Sequence, residues 1–116
     1  MSPSIPGAVP FSSAEEAWLW TMAALDDRAR GWRGGASGPP RPCEPDDVVM
    51  QLDRLFRRYV ITREDAAVLA KWGKRRQPPD PRARSAWRDA ALWQDALARL
   101  EPLLVERGIV RAPGAP

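Results

Sequence analysis

The chain has 116 residues, 18 basic and 15 acidic side chains, 44% hydrophobic and 28% charged residues, one cysteine and no histidine. That length holds a single domain, and that composition belongs to a folded protein rather than a disordered one. Without histidine, Ser-His-Asp and Cys-His catalysis and most zinc-site types are excluded; Cys43 alone cannot frame a disulfide scaffold, and no apolar stretch approaches a membrane span, so the expectation is a cytoplasmic, non-enzymatic protein with no metal or cofactor.

Residues 1–12 contain Pro3, Pro6, Gly7 and Pro10 among small side chains and read as a disordered arm. Ser12 and Ser13 each stand three residues before a glutamate, Glu15 and Glu16, which gives two overlapping capping boxes at a helix start. Trp18, Met22, Leu25 and Ala29 then recur at helical spacing, and Gly31 is the natural C-cap, so the first helix is expected over 13–30.

Residues 31–43 carry glycines at 31, 34, 35 and 38 and prolines at 39, 40 and 42, a composition neither helix nor strand tolerates. This is a flexible loop, either a plain connector or a binding loop. Trp32 beside Arg33 is its candidate partner-binding pair. An exposed pair of that kind stacks a base or anchors a protein, and the competing reading is that it folds back over the helix ends.

Pro45 opens a second helix, with Asp46 and Asp47 in its first turn to offset the dipole. Val48, Leu52, Leu55 and Tyr59 form its apolar stripe to residue 58, opposite Arg54, Arg57 and Arg58. After a turn at 59–61, Thr62 and Asp65 form a capping box, with Ile61 placed to staple against Ala66. A third helix over 62–72, closed by Gly73, completes a helix-turn-helix-like pair at 45–73.

Pro78, Pro79 and Pro81 force an extended connector. Asp80 and Pro81 then predict a fourth helix over 81–100, with Ala86, Ala90, Trp93, Leu97, Leu100 and Leu104 on one stripe. Pro102 predicts a kink or break near Leu100 and a short terminal helix to Arg107, ended by Gly108. Residues 111–116 read as a disordered tail. No period-two alternation exists anywhere, so the fold class is all-α, a four- to five-helix domain over 13–110.

The candidate site is the run 71–88, where Lys71, Lys74, Arg75, Arg76, Arg82, Arg84 and Arg88 face Asp80 alone, a local charge of +6 in a chain whose total is +3. Trp72 and Trp87 bracket it. Such a run suits nucleic-acid phosphates, duplex DNA above all, and Arg63 joins it from the first turn of the third helix. Its structural alternative is a solvated helix terminus whose charges complement the dipole. Glu64 and Asp65 share the turn with Arg63 and argue against base reading there. Cys43 stands just ahead of a helix N-terminus, an environment that lowers a thiol pKa, but without a histidine partner its structural or incidental use is the favoured reading.

Taken together, Pro42-Cys43-Glu44-Pro45-Asp46-Asp47-Val48, Leu52-Asp53-Arg54-Leu55, Trp72-Gly73, Pro78-Pro79-Asp80, Leu92-Trp93 and Gly108-Ile109-Val110 resemble a group of short, uncharacterised proteins of GC-rich bacteria with no assigned activity. The similarity covers residues 14–110. It implies a bacterial, cytoplasmic, helical protein and transfers no site residue. The expected function is therefore a nucleic-acid-binding regulatory or accessory protein, with a protein-interaction adaptor for an acidic partner as the alternative.

Overall fold

Four helices form near the places where caps and apolar stripes coincide: α1 (Ala14–Ala29), α2 (Pro45–Arg57), α3 (Arg63–Lys74) and α4 (Trp87–Glu106). The structure, a computed structural model, describes residues 7–31 and 38–114. Of the two capping boxes possible at α1, Ser13 takes the N-cap: its hydroxyl accepts from the Glu16 N–H at 3.1 Å, while the Glu16 carboxylate reaches back to Ser12. At α3 the box is reciprocal, Thr62 and Asp65 each accepting the other's backbone N–H at 3.1 and 2.8 Å.

The four helices build a compact all-α globule, with no strand among the described residues; Phe11 and Val110 form one isolated parallel bridge. α2 and α3 each pack on α1 and α4. The hub is thus the α1–α4 pair, and the 45–73 segment flanks it. No helix of the described residues is long and apolar enough to cross a membrane.

Three tryptophans tie the hub together. Trp18 of α1 donates its indole N–H to the Leu69 carbonyl of α3 at 3.0 Å, Trp72 of α3 donates to Asp89 of α4 at 2.9 Å, and Trp93 of α4 donates to Glu15 of α1 at 2.7 Å. Each indole is buried and each N–H is satisfied on the next helix of the cycle, which is what a buried tryptophan needs. Around them Val48, Leu55, Leu69, Leu97, Leu100 and Leu104 are buried as their stripes predict, while Leu52 is only partly covered.

The structure corrects five local expectations. Gly73 does not close α3; the helix runs through it to Lys74 because α1 passes over it, and a Cβ there would stand 2.6 Å from Met22 Cγ and 3.1 Å from Trp18 Nε1. Asp80 accepts the Arg82 N–H at 2.9 Å in a local turn, so residues 81–86 are turns and α4 starts only at Trp87. Pro102 neither breaks nor ends α4, which continues to Glu106. Its ring lies on the exposed side, and buried Leu100 and Leu104 hold the chain before and after it.

Tyr59, expected on the α2 stripe, is 93% exposed. It follows the C-cap in the left-handed region at φ 61°, and the Val60 N–H closes the end of α2 on the Leu55 carbonyl at 2.9 Å. Finally, Phe11, assigned by sequence to the arm, is fully buried against Trp20 with Arg41 stacked 4.2 Å over its ring. Its backbone bonds to Ile109 and Arg111 pin both ends of the domain together.

Two replacements test the α1–α3–α4 cycle. Gly73→Ala should lose about 1–3 kcal/mol from overpacking against Met22. Trp93→Phe should lose about 1–2 kcal/mol with the indole hydrogen bond. Urea denaturation checks both, and a Gly73→Ala protein as stable as the parent would show that the helices do not approach this closely.

Candidate functional site

The basic run is carried by three pieces of backbone: the last turn of α3, the turns at 75–86 and the first turn of α4. Asp80 fixes the middle piece through its bond to the Arg82 N–H, and the Ala83 carbonyl accepts from both Ala86 and Trp87. This leaves Arg82, Arg84 and Trp87 on the surface, with Trp87 60% exposed.

Folding brings carboxylates to the run that its sequence window does not contain. Lys71 pairs with Asp89 at 3.0 Å. Arg76 sits in the left-handed region at φ 58° and its guanidinium reaches Asp26 at 2.8 Å and Asp27 at 3.3 Å, at the C-terminal end of α1. Arg88 pairs with Glu64 at 3.6 Å. Three of the seven cations in the run are thus engaged in holding helices together, and the net +6 counted along the sequence overstates the surface field.

The remaining four differ. Lys74, Arg82 and Arg84 are exposed and in no ion pair among the described residues, as is Arg63 at the start of α3. Arg75 is likewise in no ion pair among the described residues, although the Asp89 carboxylate is near enough to feel its charge; its guanidinium lies 4.8 Å over the Trp72 ring in a cation–π contact. Trp72 itself is buried, so of the two bracketing tryptophans only Trp87 presents a face to solvent.

In the first turn of α3, Asp65 points inward as the buried capping partner of Thr62, and Glu64 is drawn to Arg88. Between α2 and α3 an apolar groove of about 240 Å³ remains open, lined by Val49, Leu52, Phe56, Ile61 and Ala66 beside Asp53. Trp32 and Arg33 lie outside the described residues. The far end of their loop is anchored, with the Val9 N–H donating to the Pro40 carbonyl at 2.8 Å and Arg41 donating to the Val9 carbonyl at 3.1 Å.

Cys43 is not an activated thiol. Burial, then the carboxylates of Asp47 and Glu44, push it up to about 11, against the depressing effect of Arg41. The helix N-terminus that would lower it already serves other acceptors, since Asp47 takes the Glu44 N–H at 2.7 Å. Among the described residues no group of three or more acidic or cysteine side chains is arranged to hold a metal ion.

A second basic cluster was not among the expected positions. Arg54 of α2, Arg58 at its C-cap and Arg107 at the C-cap of α4 line one pocket together with Gln51. Its sequence signal was present: Gln51 is a polar residue on the same helical face as Val48 and Leu55, where an apolar side chain belongs.

Asp89 carries the electrostatics that can be titrated. Its hydrogen bond from Trp72, then that from Lys71, holds the carboxyl below its ordinary value. A folded value below the unfolded one of about 3.9 stabilises the protein fully above roughly pH 4, and the contribution is lost as pH falls through the folded value. Asp89→Asn should therefore lower the melting temperature at pH 7 and make its decline in acid shallower than the parent's. Melting curves that run parallel from neutral to acid pH would show that Asp89 is not a source of the acid sensitivity.

Comparison with known proteins finds no matching family profile, no matching curated protein and no matching solved structure.

Proposed function

We propose that the protein binds nucleic acid, without enzymatic chemistry, in a regulatory or accessory role. Lys74, Arg75, Arg82 and Arg84 make the phosphate contacts in this reading, with Arg63 at the margin, while Lys71, Arg76 and Arg88 brace the surface through their ion pairs. The observation that carries the reading is Trp87, an indole 60% exposed on the segment that holds Arg82 and Arg84. Cations beside an exposed aromatic face suit a phosphate backbone with an adjoining base, because the guanidinium groups take the charge and the ring takes the base.

The two contact types divide duplex from single strand. Phosphate contacts alone suffice for duplex DNA, whereas Trp87 adds stacking only where a base is unpaired. α2 and α3 supply no base-reading turn in this reading: the first turn of α3 offers Arg63 beside the paired Glu64 and the inward Asp65. Sequence preference is accordingly modest.

A second reading, an adaptor for an acidic protein partner, is favoured by the α2–α3 groove. Tyr59 stands almost wholly in solvent beside it in a strained backbone conformation, next to half-exposed Phe56 and Val60, and Arg58 and Arg63 flank the turn. Trp32 and Arg33 remain the loop's contribution to that alternative.

Gel retardation with duplex and single-stranded DNA over a salt series separates the readings. Each of Lys74, Arg75, Arg82 and Arg84 replaced by Gln should flatten the slope of log affinity against log salt by about 0.9 on duplex and about 0.7 on single strands. Trp87→Ala should cost single-strand binding about 1–3 kcal/mol and leave duplex binding nearly intact. No retardation of either DNA by the parent at low salt, or a slope unchanged in the fourfold variant, rejects the nucleic-acid reading and leaves the adaptor in front.

A further inference from the structure

Each pair among the four helices packs together except α2 and α3, which scarcely touch. Both lean on α1 and α4, and the slot left between them is the apolar groove of about 240 Å³ lined by Val49, Leu52, Asp53, Phe56, Ile61 and Ala66. Along α2 the wall residues Val49, Leu52 and Phe56 recur at helical spacing, a second apolar stripe beside the one that buries Val48 and Leu55. That stripe has no helix laid against it.

The groove also collects exposed apolar surface. Phe56, Tyr59 and Val60 are three of the six large apolar side chains that stand exposed among the described residues, and they fall within five consecutive positions where the groove meets the turn between the helices. Singly exposed apolar residues need no explanation, but a cluster on the rim of an open groove marks a contact surface.

Charge identifies the class of occupant. On α3, Arg63, Ala66, Ala70 and Lys74 follow one another at helical spacing, so the helix face that carries the groove wall Ala66 is small in the middle and cationic at both ends. Arg63 and Lys74 are exposed and in no ion pair among the described residues, with about 16 Å of helix between them. The neighbouring carboxylates are already engaged: Asp53 by Arg57 at 2.9 Å, Glu64 by Arg88 at 3.6 Å, and Asp65 in the capping box with Thr62.

We propose that the α2–α3 groove docks an amphipathic helix of a partner protein, with its apolar stripe between Phe56 and Ala66 and a carboxylate near each end of that stripe, against Arg63 and Lys74. A helix fits better than an extended segment. α2 and α3 keep their backbone hydrogen bonds within themselves and offer an extended chain no ladder, whereas a helix arrives with its own backbone bonds made. The volume falls below the roughly 300–1,000 Å³ of small-molecule sites, so what enters is a row of side chains. A second copy of this chain is disfavoured as the occupant, since it brings the same free cations to the same face. The inference deepens the adaptor reading and rests on it; Lys74 is the one residue it shares with the 71–88 surface.

A phage-displayed library of helical peptides, randomised along one face, tests the groove, with the affinity of selected peptides read by fluorescence anisotropy over a salt series. Selected sequences should combine apolar residues at i, i+3 or i+4 and i+7 with Asp or Glu at the ends of that stripe. Phe56→Ser should weaken them by about tenfold or more. The Arg63→Gln/Lys74→Gln double variant, altered only at exposed positions, should weaken them by about three- to tenfold and flatten their salt dependence. Failure to enrich any peptide, enrichment of peptides without acidic residues, or acidic peptides whose binding survives both variants overturns the proposal. Where such peptides are lost instead with Trp32→Ala, the adaptor reading stands on the loop and only the groove falls. Self-association of the parent that Phe56→Ser abolishes overturns the proposal in favour of a second copy.

Discussion

Three indole N–H groups hold this fold to one arrangement. Trp18, Trp72 and Trp93 each bury a large apolar ring and each donate across to a different helix, so that α1 is bonded to α3, α3 to α4 and α4 to α1. Burial alone is non-directional and would allow the helices to slide; a buried N–H that must find its acceptor does not. Register follows from the acceptors. The Leu69 carbonyl fixes where α1 crosses α3, and that crossing is what makes a side chain at Gly73 impossible without displacing Met22. It also places Asp89 where Lys71 and Trp72 share one of its oxygens, so the same contact that locks α3 to α4 takes a cation out of the basic run.

Much of this was legible in the sequence where a local rule has no competitor. The Thr62 and Asp65 pair, Pro45 at a first turn and the stripe from Ala90 to Leu104 each specify their element from neighbouring residues alone. The misreadings share a different cause. Gly73 has the right type for a C-cap, but whether a glycine ends a helix or admits a neighbouring one depends on what packs above it. α1 ends at Gly31 and α4 at Gly108, both at positive φ, whereas α2 and α3 turn through Tyr59 and Arg76, residues that no terminal rule would choose. Arg76 has a visible compensation in its two carboxylates on α1, and Tyr59 has none among the described residues. Phe11 escaped notice because a lone aromatic among prolines has no periodicity to betray burial.

The candidate site was legible only as composition. Counting charge along residues 71–88 treats the sequence as if neighbours in chain were the only neighbours in space, and Asp26, Asp27 and Glu64 arrive from elsewhere. What survives is a smaller and better defined set, made of cations in no ion pair among the described residues and a tryptophan that stands 60% exposed. The distinction between Trp72 and Trp87 could not be drawn from the run itself. Trp72 falls on the inner stripe of α3 with Leu69, but Trp87 begins α4 one residue after Ala86 has taken the buried position.

Two kinds of basic surface follow from two kinds of placement. At 71–88 the free cations stand on turns and a helix end, open to solvent, where water already screens them and only a polyanion with many regularly spaced charges gains much by arriving. Between α2 and α4, Arg54, Arg58 and Arg107 instead line a concavity that also holds Glu106, so a carboxylate offsets part of their charge there. Gln51 marks the wall of that concavity as a departure from the α2 stripe: it stands on the inner face with Val48 and Leu55, where an apolar side chain would pack without leaving an amide oxygen buried and unbonded.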